Sequence, residues 1–348
     1  MLSRESDTPP LDFRLIEKEL CRQSPETEVV YFCKKMTKSV SIISYCLLIF
    51  RSLYHIATAS VAITDTYCIQ LSVLPKKKGL TVIQIWHALG AVKKFSYQCL
   101  DTPYGHSAAT ARAMCMHQNY DYILCASEAT RAIYAQGFRV PPERILVKGM
   151  PRVDYIQRPH HGLRERLEAA RPDLAGKKVL LYLPTFRDGL EEGVDALVQA
   201  AVGDPEVALL VKPHPLSNLR LPEETRTPAD WGTYDLMKVC DAVITDYSAS
   251  SLEASLLDKE IYFYLFDHDS YLENQGLNVD PLHELSDACA VTAEGVLALA
   301  KGDSYPWESL RCFREKYIET ARDNNTEQVT AFILEQIPTP LRQTPVGV

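Results

Sequence analysis

The sequence predicts an α/β fold built from two successive parallel-sheet units, and three observations predict it. Short β-branched, apolar runs alternate with longer segments of helical apolar spacing, the pattern of strands joined by crossover helices. The alternation restarts after a break near 151–175, and 348 residues suffice for two domains. Polar, chemistry-bearing residues gather just beyond the apolar runs, where parallel strands end and ligands bind. The expected arrangement is two Rossmann-like domains, 1–155 and 156–348, with sheets facing a cleft.

The elements follow in order. Met1-Leu2-Ser3-Arg4 reads as the tail of a very short first strand, whose loss would cost the first domain a central element. Leu11 to Arg22 has helical spacing, and Glu28 to Cys33 (EVVYFC) reads as a strand. A helix is expected over about 38–55. Its core, Val40 to Phe50, is the most apolar stretch of the chain and reads as a buried helix, too short to span a bilayer. Strands follow at 59–65, 80–86, 120–126 and 144–148, with a helical segment at 107–117 and a helix start at Ser127. The second series has a connecting helix at 163–170 and strands at 178–183, 206–212, 242–245 and 260–265. Short helices fall at 235–240 and 251–257. From Trp307 the chain reads as helical, with Thr326 as a cap.

Composition narrows the class. Hydrophobic residues make up 46% and charged residues 24%, the balance of a globular protein with a sizeable core. The net charge of −8 gives no basic field for nucleic acid. The ten cysteines are scattered, without a C-x-x-C pair or zinc spacing, and the N-terminus MLSRESDTPP is not a signal peptide. Reduced thiols in a cytoplasm are expected. Lys76-Lys77-Lys78 reads first as solvated surface.

Five strand ends carry unusual polar residues: Trp86-His87, Gly149-Met150-Pro151-Arg152-Val153-Asp154, Pro184-Thr185-Phe186-Arg187-Asp188, Lys212-Pro213-His214-Pro215 and Thr245-Asp246-Tyr247-Ser248-Ala249-Ser250. Five such ends point to a shared site. The serine turn enters a helix, so its amides and hydroxyls suit an anion; ordinary N-capping by Ser248 or Ser250 explains it equally well. Arg187 could fork onto a phosphate or pair with Asp188 or Asp154. His214 stands between two prolines that restrict its backbone. Glu253 could bind ribose hydroxyls or complement a helix dipole. His87 reads as a catalytic group or as a core histidine beside Trp86.

WHALGAVKKF, GMPRVD, LPTFRD, VKPHP and TDYSASSLEASLLDKEIYFYLFDHDSY, in this order from about Ser3 to Asp280, resemble the CDP-glycerol glycerophosphotransferase family of teichoic-acid type polyol-phosphate transferases. The resemblance implies a GT-B-like fold with nucleotide held mainly by the second domain. It implies transfer of glycerol phosphate from CDP-glycerol, or ribitol phosphate from CDP-ribitol, to a hydroxyl of a lipid-linked saccharide or polyol-phosphate acceptor, with release of CMP.

Carried onto this sequence, the resemblance implies His87 as general base and His214 as a second active-site histidine. Ser248, Ser250, Arg187 and Lys212 fall on the donor phosphates. Pro184, Thr185 and Glu253 fall on the nucleotide, and Trp86, Lys93 and Lys94 on the acceptor side. No metal and no cofactor are required. The partner implied besides the substrates is the inner membrane surface, reached through the 40–50 helix or the lysines at 76–78 or 93–94, so the protein is expected at the cytoplasmic face of a bacterial membrane. Two departures stand out: Ala88 follows His87 where many members have glycine, and Ala249 replaces a serine in the phosphate turn. Single addition is expected over polymerisation. The competing readings are another GT-B nucleotide-sugar transferase or epimerase, and a non-catalytic CDP-binding scaffold.

Overall fold

The computed structural model describes residues 1–36, 40–214, 217–319 and 324–338. The chain divides into two compact units. One comprises Met1–Gly90, Phe95–Tyr155 and the described residues from Ile318 on; the other comprises Ala91–Lys94 and Ile156–Tyr317.

The first unit holds a six-stranded parallel sheet of β1 (Leu2–Ser3), β2 (Phe32–Cys33), β3 (Val61–Thr64), β4 (Thr81–Gln84), β5 (Tyr122–Cys125) and β6 (Ile145–Val147), in the order β2-β1-β3-β4-β5-β6. Its topology turns back between β1 and β3. The two-residue β1 is the strand expected near Met1, and it lies inside the sheet. The expected strand Glu28 to Cys33 shortens to Phe32–Cys33, because β1 offers a ladder of only Leu2↔Phe32 and Ser3↔Cys33. The central runs are buried, with Ile83, Ile85, Ile123 and Leu124 sealed from solvent.

The second unit holds a five-stranded parallel sheet of β7 (Lys178–Leu183), β8 (Val207–Val211), β9 (Ala242–Thr245), β10 (Glu260–Tyr264) and β11 (Cys289–Ala290), in the order β11-β10-β9-β7-β8. Val179, Leu180, Leu181 and Tyr182 are all fully buried, so β7 reads as an unbroken apolar run because both of its faces are covered. The turning point lies between β7 and β9, whose last residues Leu183 and Thr245 are partners.

Three expectations change. The expected 156–348 domain gives its last helix, Asn325–Glu335, to the first unit, where it packs on the helix Leu11–Gln23. Thr326 does not cap that helix. Asp154 does: its carboxylate accepts from the backbone N–H groups of Asn325 (3.0 Å) and Thr326 (2.7 Å) and from the Thr326 hydroxyl. The expected buried helix near 40–50 forms as Ile42–Thr58, but of its residues only Ser52 is buried.

Candidate functional site

In the first unit the site grows from the end of β4. Gln84, buried, turns its Oε1 back to accept from the Trp86 N–H at 2.8 Å. Trp86 adopts a left-handed backbone with φ 57°, which swings the next residue outward. The indole packs on Phe95 (centroids 5.0 Å apart) and Phe138 (5.1 Å), and on the His87 ring (4.2 Å). Gly137 admits Phe95, since a Cβ there would lie 2.2 Å from the ring. His87 is therefore exposed on an aromatic floor and is not a core histidine.

Two contacts orient it. The His87 Nδ1 lies 3.1 Å from the Asp65 carbonyl oxygen, which can only accept, so the proton sits on Nδ1 and Nε2 is the basic nitrogen. Arg152 Nη1 donates to the His87 carbonyl at 2.8 Å. The Arg152 Nε and backbone N–H both donate to the Asp12 carboxylate at 2.8 Å, a pair buried in the unit. Asp65 itself follows β3 at the turning point. Its Oδ2 accepts from the Ser3 hydroxyl at 2.9 Å, and Oδ1 has no hydrogen-bond partner among the described residues. Burial pushes the Asp65 carboxyl up from 3.8 to about 7.

In the second unit the ends of β7 and β9 meet at the turning point. Thr185 donates to the Asp246 carboxylate from its N–H (3.0 Å) and from its hydroxyl (2.6 Å). Arg187 Nη1 reaches Asp246 at 2.6 Å and the Thr185 carbonyl at 2.8 Å. Its Nε and Nη2 reach Asp267 at 2.6 and 3.0 Å. Phe266, Tyr247 and Tyr271 surround the guanidinium at 4.9, 5.3 and 5.5 Å. Burial disfavours the charged guanidinium, but Asp246 and then Asp267 outweigh it and hold the proton more tightly than usual.

Arg187 is thus buried between two carboxylates, neither of them Asp188 or Asp154. The geometry makes it an internal strut joining β7, β9 and the segment after β10. It does not present an open fork to a phosphate, as the sequence had led us to expect.

The serine turn follows β9. Ser248 Oγ accepts from the Ser250 N–H at 3.2 Å and lies 3.1 Å from its hydroxyl, and the Ser251 hydroxyl donates to the Ser248 carbonyl. Both hydroxyls are half-buried beyond the strand end. Glu253 is buried and accepts from the Tyr234 hydroxyl at 2.8 Å. Beyond β8, Lys212 Nζ donates to the Trp231 carbonyl at 2.9 Å. His214 is exposed and stacks on Phe186 with centroids 5.8 Å apart. Pro215, the second of its flanking prolines, lies outside the described residues. The buried Pro184 turns the chain between Leu183 and Thr185.

Lys93 and Lys94, expected on the acceptor side of the first domain, belong to the second unit. Lys94 N–H donates to the Gly276 carbonyl at 3.0 Å, and Asn278 Nδ2 donates to the Lys93 carbonyl. Sequence reasoning named Trp86 and His87 in one unit, and Pro184, Thr185, Lys212, His214, Ser248, Ser250 and Glu253 in the other. It missed Asp12, Asp65, Asp246 and Asp267. Asp246 and Asp267 stand inside quoted motifs. Asp12 carries no local signal, being 140 residues from its partner.

Among the described residues no group of three or more His, Cys, Asp or Glu side chains could hold a metal ion, and all ten cysteines are free thiols.

Two parallel sheets, each with a topological turning point and polar side chains beyond its strand ends, define a GT-B-like α/β protein. The same fold occurs in the wall teichoic acid polymerase TagF, which superposes with a TM-score of 0.72 at 20% identity over 96% of this chain and 87% of that one. It occurs more distantly in the UDP-N-acetylglucosamine 2-epimerase of Rickettsia bellii (TM-score 0.59, 13% identity, 98% and 96% covered).

Residues 2–335 match the CDP-glycerol:poly(glycerophosphate) glycerophosphotransferase family, and the chain belongs to it. It is 34% identical over 279 residues to the teichoic acid ribitol-phosphate primase of Bacillus spizizenii, covering 76% of this chain and 72% of that protein. It is 26% identical over 294 residues to the teichoic acid glycerol-phosphate primase of Bacillus subtilis, covering 81% and 75%. Family membership makes the chain a polyol-phosphate transferase and disfavours the epimerase and scaffold readings.

Proposed function

We propose that the chain transfers glycerol phosphate or ribitol phosphate from the CDP-polyol to a hydroxyl of a lipid-linked acceptor at a membrane surface. The acceptor oxygen attacks the phosphorus that bears the polyol. A new P–O bond forms, the anhydride P–O bond to CMP breaks, and CMP leaves with the bridging oxygen.

The observation that carries this reading is the exposed His87 with its proton fixed on Nδ1. Its basic Nε2 takes the hydroxyl proton as attack proceeds. In the second unit, Ser248 and Ser250 supply hydroxyl and amide donors for the donor phosphates, Lys212 adds positive charge and His214 a ring N–H donor where CMP departs. Thr185 and Glu253 fall on the nucleotide side. Arg187 acts at one remove, by holding Asp246 and through it Thr185. The chemistry asks for no metal.

The test is CMP release from CDP-glycerol and CDP-ribitol, each with and without a lipid-linked acceptor, and with UDP-N-acetylglucosamine as control. Acceptor-dependent release from one CDP-polyol supports the reading and names the donor. No release from either CDP-polyol by folded protein overturns it.

A further inference from the structure

Arg4 directly follows β1 at the carboxyl edge of the first sheet, beside the segment Asp65 to Tyr67 that follows β3. Its backbone N–H donates to Thr66 Oγ1 at 3.2 Å, and its Nη1 donates to the Tyr67 carbonyl at 3.1 Å. The guanidinium lies 6.0 Å from the ring centroids of both Tyr45 and Tyr67. The Tyr67 ring is fixed in turn, its hydroxyl donating to the Met114 carbonyl at 2.5 Å.

Two aromatic walls and one carbonyl hold the cation, and no carboxylate neutralises it. Arg4 forms no ion pair among the described residues, although the exposed Glu5 comes next in the chain. Its Nε is buried without a hydrogen-bond partner among the described residues, and Nη2 has none either. Nε and Nη2 form the edge with which an arginine grips two oxygens of one phosphate. Buried polar groups are nearly always paired, so this unused edge asks for a ligand. Arg152, the arginine beyond β6, is by contrast held by Asp12 and the His87 carbonyl.

Position says which phosphate. The segment that Arg4 grips at Tyr67 also orients His87, through the Asp65 carbonyl. Two residues of chain and two hydrogen bonds of 3.1 Å put Arg4 Nη1 within ~14 Å of His87 Nδ1. One polyol unit, short enough for that span, separates the free hydroxyl of a polyol-phosphate acceptor from its own phosphate.

We propose that Arg4 binds the phosphate of the acceptor, one polyol unit behind the hydroxyl that His87 deprotonates. The acceptor is then a chain already ending in polyol phosphate, and a bare saccharide is a poor one. The inference rests on the proposed function and narrows its acceptor class.

The first test needs no turnover. Binding of glycerophosphoglycerol, a minimal phosphodiester, to the full chain is followed by NMR, with diglycerol as the control that lacks phosphate. Wild type should bind the diester at least about tenfold more tightly than diglycerol, the usual weight of a charge-assisted pair. Arg4→Gln should lose that preference, and Arg4→Lys should lose part of it, because an ammonium has no fork. Tyr45→Ala, on a helix that buries only Ser52, should weaken the diester about threefold by removing one wall. This variant keeps the test open if Arg4→Gln does not fold. No diester binding by wild type, or unchanged binding in Arg4→Gln, overturns the proposal. So does a tighter hold on methyl diphosphate than on the diester, which would give Arg4 to the diphosphate of a lipid carrier.

The second test is CMP release with two water-soluble acceptors, a disaccharide ending in glycerol phosphate and the bare disaccharide. Arg4→Gln should raise KM for the first at least about tenfold and leave KM for the CDP-polyol near wild type. If Arg4 only propped the segment that holds His87, kcat would fall and acceptor KM would hold. That result, or equal use of both acceptors by wild type, overturns the proposal. Diester binding without CMP release from either CDP-polyol would strike the proposed reaction and leave the phosphate site standing.

Discussion

Arg152 donates from Nη1 to the backbone carbonyl of His87 at 2.8 Å, while its Nε, Nη2 and backbone N–H donate to the buried Asp12. One planar guanidinium thus ties the turn carrying the candidate base to the first helix of the unit. An ammonium has no such fork. Arg152→Lys should therefore lower kcat by about tenfold or more, since small misplacement of a reacting group is costly, and leave KM for the CDP-polyol near wild type. Steady-state kinetics decide it. A rise in KM alone would make Arg152 a binding residue.

His87→Ala should lower turnover at least about a hundredfold, the usual cost of losing a general base, with little change in donor affinity by calorimetry. Ser248→Ala should weaken donor binding more than His87→Ala does. Near-wild-type turnover in the first variant would remove His87 from the reaction, and reversed affinities would move the phosphate site away from the serine turn.

Arg187→Met leaves Asp246 charged, buried and without its cation. Breaking a buried pair in this way costs about 3–5 kcal/mol, to be read from urea unfolding followed by circular dichroism. If Arg187 were instead a phosphate ligand, stability would hold and donor affinity alone would fall.

The Asp65 carboxyl is pushed up from 3.8 to about 7 by burial. The folded state then binds its proton more tightly than the unfolded state, so this group's contribution is full below pH ~4 and is lost as pH rises through ~7. The loss is of order 4 kcal/mol. His117, lowered to about 3 by burial, acts in the opposite sense, its contribution falling as pH drops below ~6.5. The informative quantity is therefore the difference between wild type and Asp65→Asn. The variant should gain on wild type as pH rises from 4 to 8, and a pH-independent difference would show that Asp65 ionises normally.

Four of the five strands of the second unit were legible almost residue by residue, the two-residue edge strand Cys289–Ala290 being missed. Lys178–Leu183 and Ala242–Thr245 are buried on both faces, and such strands show as unbroken apolar runs bounded by polar turns. The strand ends followed, and with them His87, Thr185, His214 and Ser248, because in a parallel sheet these ends share one side. Legibility failed where the partner was remote. Arg187 looked like a phosphate fork because its pairing with Asp246 and Asp267 closes over 59 and 80 residues of chain. Asp12 was not singled out, because its partner Arg152 lies 140 residues away.

The sequence by itself determined the two-unit α/β plan, the strand ends that bear chemistry and the family, because these rest on local periodicity and on motifs in order. Only the tertiary structure decided that Arg187 is a strut, that Arg152 and Asp65 orient His87, that Asp154 caps the final helix, and that the most apolar helix of the chain faces outward. Burial and charge pairing are set by what folds back onto a residue, and apolar spacing along a helix reads the same whether protein or another medium covers it.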